Sequence, residues 1–278
     1  MTRLLALLLL VSLASTVDGR AQQPNIPVFW DTKERLAKPD LSEMSRVRFL
    51  TTTDFPPFNF LDSSGRLTGF HVDLARAICS ELEMLDRCEI QALPWDELEG
   101  ALARKEGEAI IAGLSMTPER RERLAFSRAY LQFPARFIVG KATAAAEPLY
   151  ETLAGKRIGV VAGSAHEHML RDMFPNVQVV TYLKPEWVYQ DVKAGKLAGA
   201  FGDGMRMAFW LSGSDSAGCC HFAGGPYLAP EYLGSGLAIA AVKDNPELVQ
   251  ALDYALQQIT VKGTFAELYL RYFPVSFF

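Results

Sequence analysis

From residue 46 onward, apolar positions alternate between two periods. A β-like run at 47–52 (VRFLTT) precedes a helical stretch at 70–84, where Val72, Leu74, Ala75, Ile78, Cys79 and Leu82 recur near 3.6-residue spacing. A strand follows at 88–93, an amphipathic helix at 95–107 with a glycine stop, and a buried strand at 108–115. The rhythm pauses at 134–149, a strand and then a small-residue linker. It restarts with a strand at 156–164, a helix at 165–173, a strand at 177–182, a helix at 185–194 and a strand at 197–203. A long apolar strand at 235–243 and two helices, parted by Gly263, close the chain. Repeated βαβ units predict an α/β protein of two lobes, each a mainly parallel sheet flanked by helices. The apolar strands near 135–140 and 237–242 are expected to cross between the lobes as a two-strand hinge. The expected division is lobe 1 at 46–139 plus 237–278 and lobe 2 at 140–236. Residues 22–45, polar and punctuated by proline, read as an extension lying over the domain, with Val28, Phe29 and Trp30 as its docking side chains.

The flanks and composition narrow the setting. One basic residue, a short apolar run and small residues make 1–21 a signal peptide pattern, and the later sequence has no stretch apolar and long enough to span a bilayer. A soluble exported protein is expected, periplasmic in a Gram-negative cell. The net charge of −4 over 278 residues leaves no cation excess for a general polyanion, so nucleic acid is not an expected partner. Cys79 and Cys88 bracket a helix end and a turn, where a disulfide would staple helix to strand. Two buried thiols are the alternative, and an oxidising compartment favours the bridge. For the adjacent Cys219 and Cys220 a vicinal bridge would be strained, so two thiols in a strand are at least as much expected. His166 and His168 would point different ways on a helix, so neither a metal nor a cofactor is expected.

Ligands of such sheets bind beyond the carboxyl ends of strands. At the first such end (TTTDFPPFNF), Phe55 beside Asp54 is the candidate wall over a ligand, while Phe58 and Phe60 read as core. At the third (AGLSMTPERRERLAF), Thr117 caps a short helix with Pro118 at its first position. On that helix Arg121 lies about 100° from Arg120, and Leu124 about 40° from it. Leu124 should face the protein, so Arg120 leans inward and Arg121 outward; the angle leaves Arg123 ambiguous. An inward guanidinium suits a carboxylate, with the Ser115 hydroxyl beside it, unless a structural acid takes it. In the second lobe, Gly163 permits close backbone approach, and Ser164 caps a helix whose first N–H groups, 164–166, face an anion. Asp203 ends an apolar strand between two glycines, placed to hold an ammonium, to cap helix 204–212, or both. Together these strand ends offer the charge map of a free α-amino acid.

From about residue 46 to 273 the chain resembles the family 3 extracellular solute-binding proteins, periplasmic receptors of polar amino acid ABC transporters. The stretches TTDFPPFNF, GRLTGFHVDLARAI, IIAGLSMTPERRERLAFSRAYL, GKRIGVVAGS, AGAFGD and YALQQITVKGTFAELYLRYF carry the resemblance, in order. It implies a two-lobed type II periplasmic-binding-protein fold, and Arg120 after Ser115 as the clamp on a ligand carboxylate. It further implies Gly113 as a backbone contact, Phe55 and Trp95 as stacking aromatics, Asp203 on the ammonium, and Gly163 and Ser164 as the second-lobe turn. Ala165 departs from the pattern, since the family often has a second hydroxyl there. The Cys79–Cys88 pair matches a disulfide of some basic amino acid receptors. The implied partners are a small amino acid ligand and ABC permease subunits, with the protein itself a monomer and not an enzyme. Two other readings share the fold. Periplasmic cyclohexadienyl (arogenate/prephenate) dehydratases need a general acid in the cleft, for which Glu167 and Glu186 are the nearby acids. A sensory or dehydrogenase-associated relative would have left transport altogether. Asp54 and Asp96 near the pocket fit a cationic ligand and equally a solvated rim.

Overall fold

A computed structural model of the chain describes residues 26, 28, 29, 31, 33–42, 44–143, 145–273 and 276–278. The signal peptide expected at 1–21 and Trp30 lie outside the described residues. Two five-stranded sheets organise the rest. The first runs Cys88–Ala92, Val47–Thr51, Ala109–Ile110, Ala240–Val242, Leu124–Phe126, with Val47–Thr51 parallel to both neighbours and Ala240–Val242 antiparallel to both of its own. The second runs Gln178–Tyr182, Arg157–Val161, Gly199–Asp203, Ala135–Gly140, Cys220–Tyr227, parallel over its first three strands. This is the expected α/β fold with two mainly parallel sheets.

Helices Phe70–Glu81, Pro246–Val261 and Thr264–Tyr272 bury Phe70, Leu74, Ile78, Leu252, Leu256 and Tyr269 in one core with Phe49 and Phe58. Each such side chain removed from water contributes roughly 1.5–3 kcal/mol. Gly263, in the left-handed region at φ 83°, separates the last two helices as read from the sequence. A disulfide joins Cys79 to Cys88 and so ties helix Phe70–Glu81 to its following strand. Cys219 and Cys220 are also bridged. The extension docks on the first core through Ile26, Phe29, Leu36, Leu41 and Met44, while Val28 stays exposed. Buried Gln257 pins its backbone, accepting from Leu36 N–H (3.3 Å) and donating to Glu34 O (3.1 Å).

The strand at 135–140 differs from its expected place. Ala135–Gly140 pairs on both edges inside the second sheet, so the chain crosses before it and not at 139. Its residues 135–139 are all buried, Arg136 included, so burial on both faces leaves no in/out alternation to assign it to a sheet. The expected strand 108–115 shortens to Ala109–Ile110 because Gly113 turns the backbone at φ 84°. Near the crossings Leu131 and Ser115 each bridge antiparallel to Leu237, and Leu237 N–H donates to Leu131 O at 2.7 Å. Behind them helix Gly204–Ser212 serves both halves: Ala208 joins the first core, and Met207 a core beneath the second sheet.

Candidate functional site

The predicted residues divide between two candidate half-sites: Phe55, Trp95 and Gly113 line the first, Ser164 and Asp203 the second, and Ser115, Arg120 and Gly163 line neither. The first is a cavity of about 270 Å³ lined by Thr52, Asp54, Phe55, Trp95, Ala112 and Gly113. Phe55 stacks on Phe58, with centroids 4.7 Å apart, so only one of its faces is open. Trp95, 46% exposed, starts a 3₁₀ turn on the rim. Gly113 is required here: a Cβ would fall 2.9 Å from the Phe55 ring, at a φ that L side chains resist.

Beneath this floor lies a buried polar chain that sequence reasoning missed. Asn59 Nδ2 donates to Thr52 Oγ1 (2.6 Å), His71 Nδ1 meets Asn59 Oδ1 (2.7 Å), and Tyr130 OH meets His71 Nε2 (2.8 Å). With Asn59 Oδ1 as acceptor, Nδ1 carries the imidazole proton and Nε2 accepts from Tyr130. Burial pushes the His71 pKa down to about 3. Burial also raises the Tyr130 phenol. Tyr130 adjoins the crossing, since its N–H donates to Leu237 O (2.9 Å). The chain thus runs from cavity rim to hinge.

The arginine helix forms as read. Thr117 Oγ1 accepts from Arg120 N–H (3.3 Å), Pro118 takes the first position, and Leu124 is buried. Arg120 is not idle, however. Its Nε donates to Glu99 Oε1 (2.9 Å) and its Nη1 to Ser115 O (3.3 Å). Arg123 takes the other Glu99 oxygen at 3.0 Å, which gives that residue its place. Arg121 is exposed and rests on Met116 Sδ. Ser115 is exposed beside Arg120 and contributes its carbonyl rather than its hydroxyl. Arg120 and Ser115 therefore flank the first cavity instead of lining it. No acceptor for Arg120 Nη2 occurs among the described residues.

The second half-site is a cavity of about 310 Å³, whose lining includes Ser164, His166, Tyr189, Phe201, Asp203 and Arg206. Ser164 caps helix Ala165–Met173 by accepting from Glu167 N–H (3.1 Å), and Glu167 returns its carboxylate to Gly163 N–H (2.8 Å). This reciprocal box occupies the Gly163 and Glu167 amides, and Ser164 N–H turns to Val161 O at 3.4 Å. The amides of 165 and 166 remain at the helix start. Asp203 caps helix Gly204–Ser212 through Oδ1 (2.7 Å to Arg206 N–H), and its second oxygen can still receive an ammonium. Burial lowers the His166 pKa, Asp203 opposes that and Arg206 adds to it, so a neutral imidazole lies beside the acid. His166 and Arg206 were missed as site residues; the signal for His166 was its place two residues past the Ser164 cap. Among the described residues no three His, Cys, Asp or Glu side chains converge as metal ligands.

The chain as a whole is similar to known proteins. Residues 47–275 match the model for bacterial extracellular solute-binding proteins, family 3. The chain is 31% identical over 229 residues to the "Putative ABC transporter arginine-binding protein 2" of Escherichia coli strain K12, covering 82% of this chain and 90% of that one. A solved "Ancestral Cationic Amino Acid Solute Binding Protein" superposes with TM-score 0.60 at 25% identity, over 84% of this chain and 97% of the other. The L-cystine solute receptor of Neisseria gonorrhoeae, in its unliganded open conformation, shares the fold with TM-score 0.71 at 18% identity, over 84% and 94%.

Proposed function

The chain belongs to the bacterial extracellular solute-binding proteins, family 3, and on that premise we propose that it captures a free amino acid, or a similar small amino-carboxylate, between its lobes in the periplasm and presents it to ABC permease subunits. The observation that carries this reading is the division of charge. The Arg120 guanidinium, shared with Glu99, flanks the aromatic-walled first cavity, and the Asp203 carboxylate, with Arg206 beside it, lines the second at a helix start. A ligand touches both halves only when they close, so binding shifts the population toward the closed form. In this reading lobe 1 is 46–134 plus 237–278, lobe 2 is 135–236, and the receptor acts as a monomer.

In the bound state Arg120 receives the α-carboxylate, Asp203 the α-ammonium, and Phe55 and Trp95 sandwich the side chain. Asp54 in the first cavity and the arginine-binding relatives put cationic amino acids first in a ligand screen. Binding without chemistry is supported by the acids available. Glu167 is held below the usual carboxylate range by Arg171 and the Gly163 N–H, which makes it a poor general acid, and Glu186 opens onto a different cavity. Titration calorimetry over the amino acids, with arogenate and prephenate included, tests the reading. Arg120→Ala should cost about 2–3 kcal/mol, a rise in Kd of roughly 30- to 150-fold, while Arg121→Ala leaves affinity unchanged. Turnover of arogenate or prephenate, or equal affinity of the Arg120 variant, would overturn it.

A further inference from the structure

The second sheet has another concave feature at its opposite end. A groove of about 700 Å³ opens where strand Arg157–Val161 begins and strand Ala135–Gly140 ends. The strand that supplies Arg157 reaches the ligand half-site through Val161, four residues on and roughly 13 Å away. The groove is lined by Lys141, Lys156, Arg157, Lys193 and Lys196, with no carboxylate among its lining residues. This runs against the composition, since acidic residues outnumber basic ones by 32 to 28 over the whole chain.

Part of the cluster has an internal explanation. Lys193 and Lys196 sit at the C-terminal end of helix Pro185–Lys193, whose dipole attracts cations. Lys193 Nζ donates to Asp215 O (2.6 Å), and Lys196 pairs with Asp191 (2.9 Å), just outside the lining. The rest does not. Lys141 and Lys156 have no side-chain partner among the described residues, and Arg157 donates to the Lys196 carbonyl at 3.3 Å. They come from two other segments of chain and face the same space. Like charges brought together there repel unless an anion lies among them.

We propose that this groove is a second binding site, for a phosphate-bearing anion, presented either free or as a phospholipid headgroup. Ammonium groups supply point charges and Arg157 a planar fork, the two donor types that phosphate oxygens accept. The site is separate from the amino acid cleft and does not depend on how that cleft is read.

The test uses the mature protein and the double variant Lys141→Glu, Lys156→Glu. Both side chains are exposed and unpartnered among the described residues, so the fold should persist, as thermal melting checks. Two probes distinguish the sources: calorimetric titration with inorganic pyrophosphate, and cosedimentation with phosphatidylcholine vesicles with or without phosphatidylglycerol. Saturable pyrophosphate binding, with the double variant weaker by about tenfold per lysine lost, identifies a free anion. Sedimentation only with phosphatidylglycerol, falling as salt rises and weakened roughly 25-fold in the variant at about fivefold per lysine, identifies a headgroup. Binding of neither probe, or equal binding by a folded double variant, overturns the proposal.

Discussion

Replacing His71 by Gln tests the buried chain beneath the first cavity through its pH dependence. His71 is fully buried between Asn59 and Tyr130, with a pKa pushed down to about 3 by burial. In the unfolded chain an imidazole titrates near 6.5. Between those values the unfolded state binds a proton that the folded state refuses, so stability rises with pH. The contribution is fully present above about pH 6.5 and is lost progressively as pH falls toward 3. At pH 4.5 the wild type should have lost about 2.7 kcal/mol from this group alone, two pH units below 6.5 at about 1.36 kcal/mol each. Denaturant unfolding at pH 7.5 and 4.5 measures it. Carboxylates elsewhere contribute to both proteins alike, so the difference in pH dependence between wild type and His71→Gln isolates the imidazole. Gln keeps an amide able to reach Asn59 or Tyr130, which limits the loss at neutral pH. If the two proteins lose the same stability on acidification, His71 is not held neutral by burial and the reasoning fails.

Three further outcomes follow from the geometry. Gly113→Ala should cost about 1–3 kcal/mol of strain and push the Phe55 ring off its wall, seen as a lower Tm together with weaker ligand binding. Gln257→Ala should release the extension, at a cost of about 1–3 kcal/mol, with hydrogen exchange rising first over 34–42. Replacing Cys79 and Cys88 by serine opens a loop spanned by nine residues and should lower stability by about 2.5–3 kcal/mol, with no change in ligand preference.

The periodic parts of the chain were the legible ones. Helix 204–212 appears with the bounds read from sequence, because an acid cap, a glycine and an apolar strand before it all mark the same boundary. The Thr117 cap likewise predicted which arginine leans inward, since one helical turn fixes angles without tertiary information. What failed was what only tertiary contact decides. Glu99 lies 21 residues before Arg120 and reads as an ordinary solvated helix acid, yet it holds both Arg120 and Arg123. Strand Ala135–Gly140 is buried on both faces, Arg136 included, so no in/out alternation says which sheet it joins. His71 lies on the buried face of a helix, where its spacing resembles that of any core residue, and its partners come from distant segments.

Helix Gly204–Ser212 packs Ala208 into one core and Met207 into the other. Melting either lobe alone would strip one face of that helix and expose the apolar groups opposite it. The two lobes therefore share a cooperative unit of unfolding through this helix. A substitution at Ala208, which lines neither cavity, should change how the protein denatures without altering the candidate site.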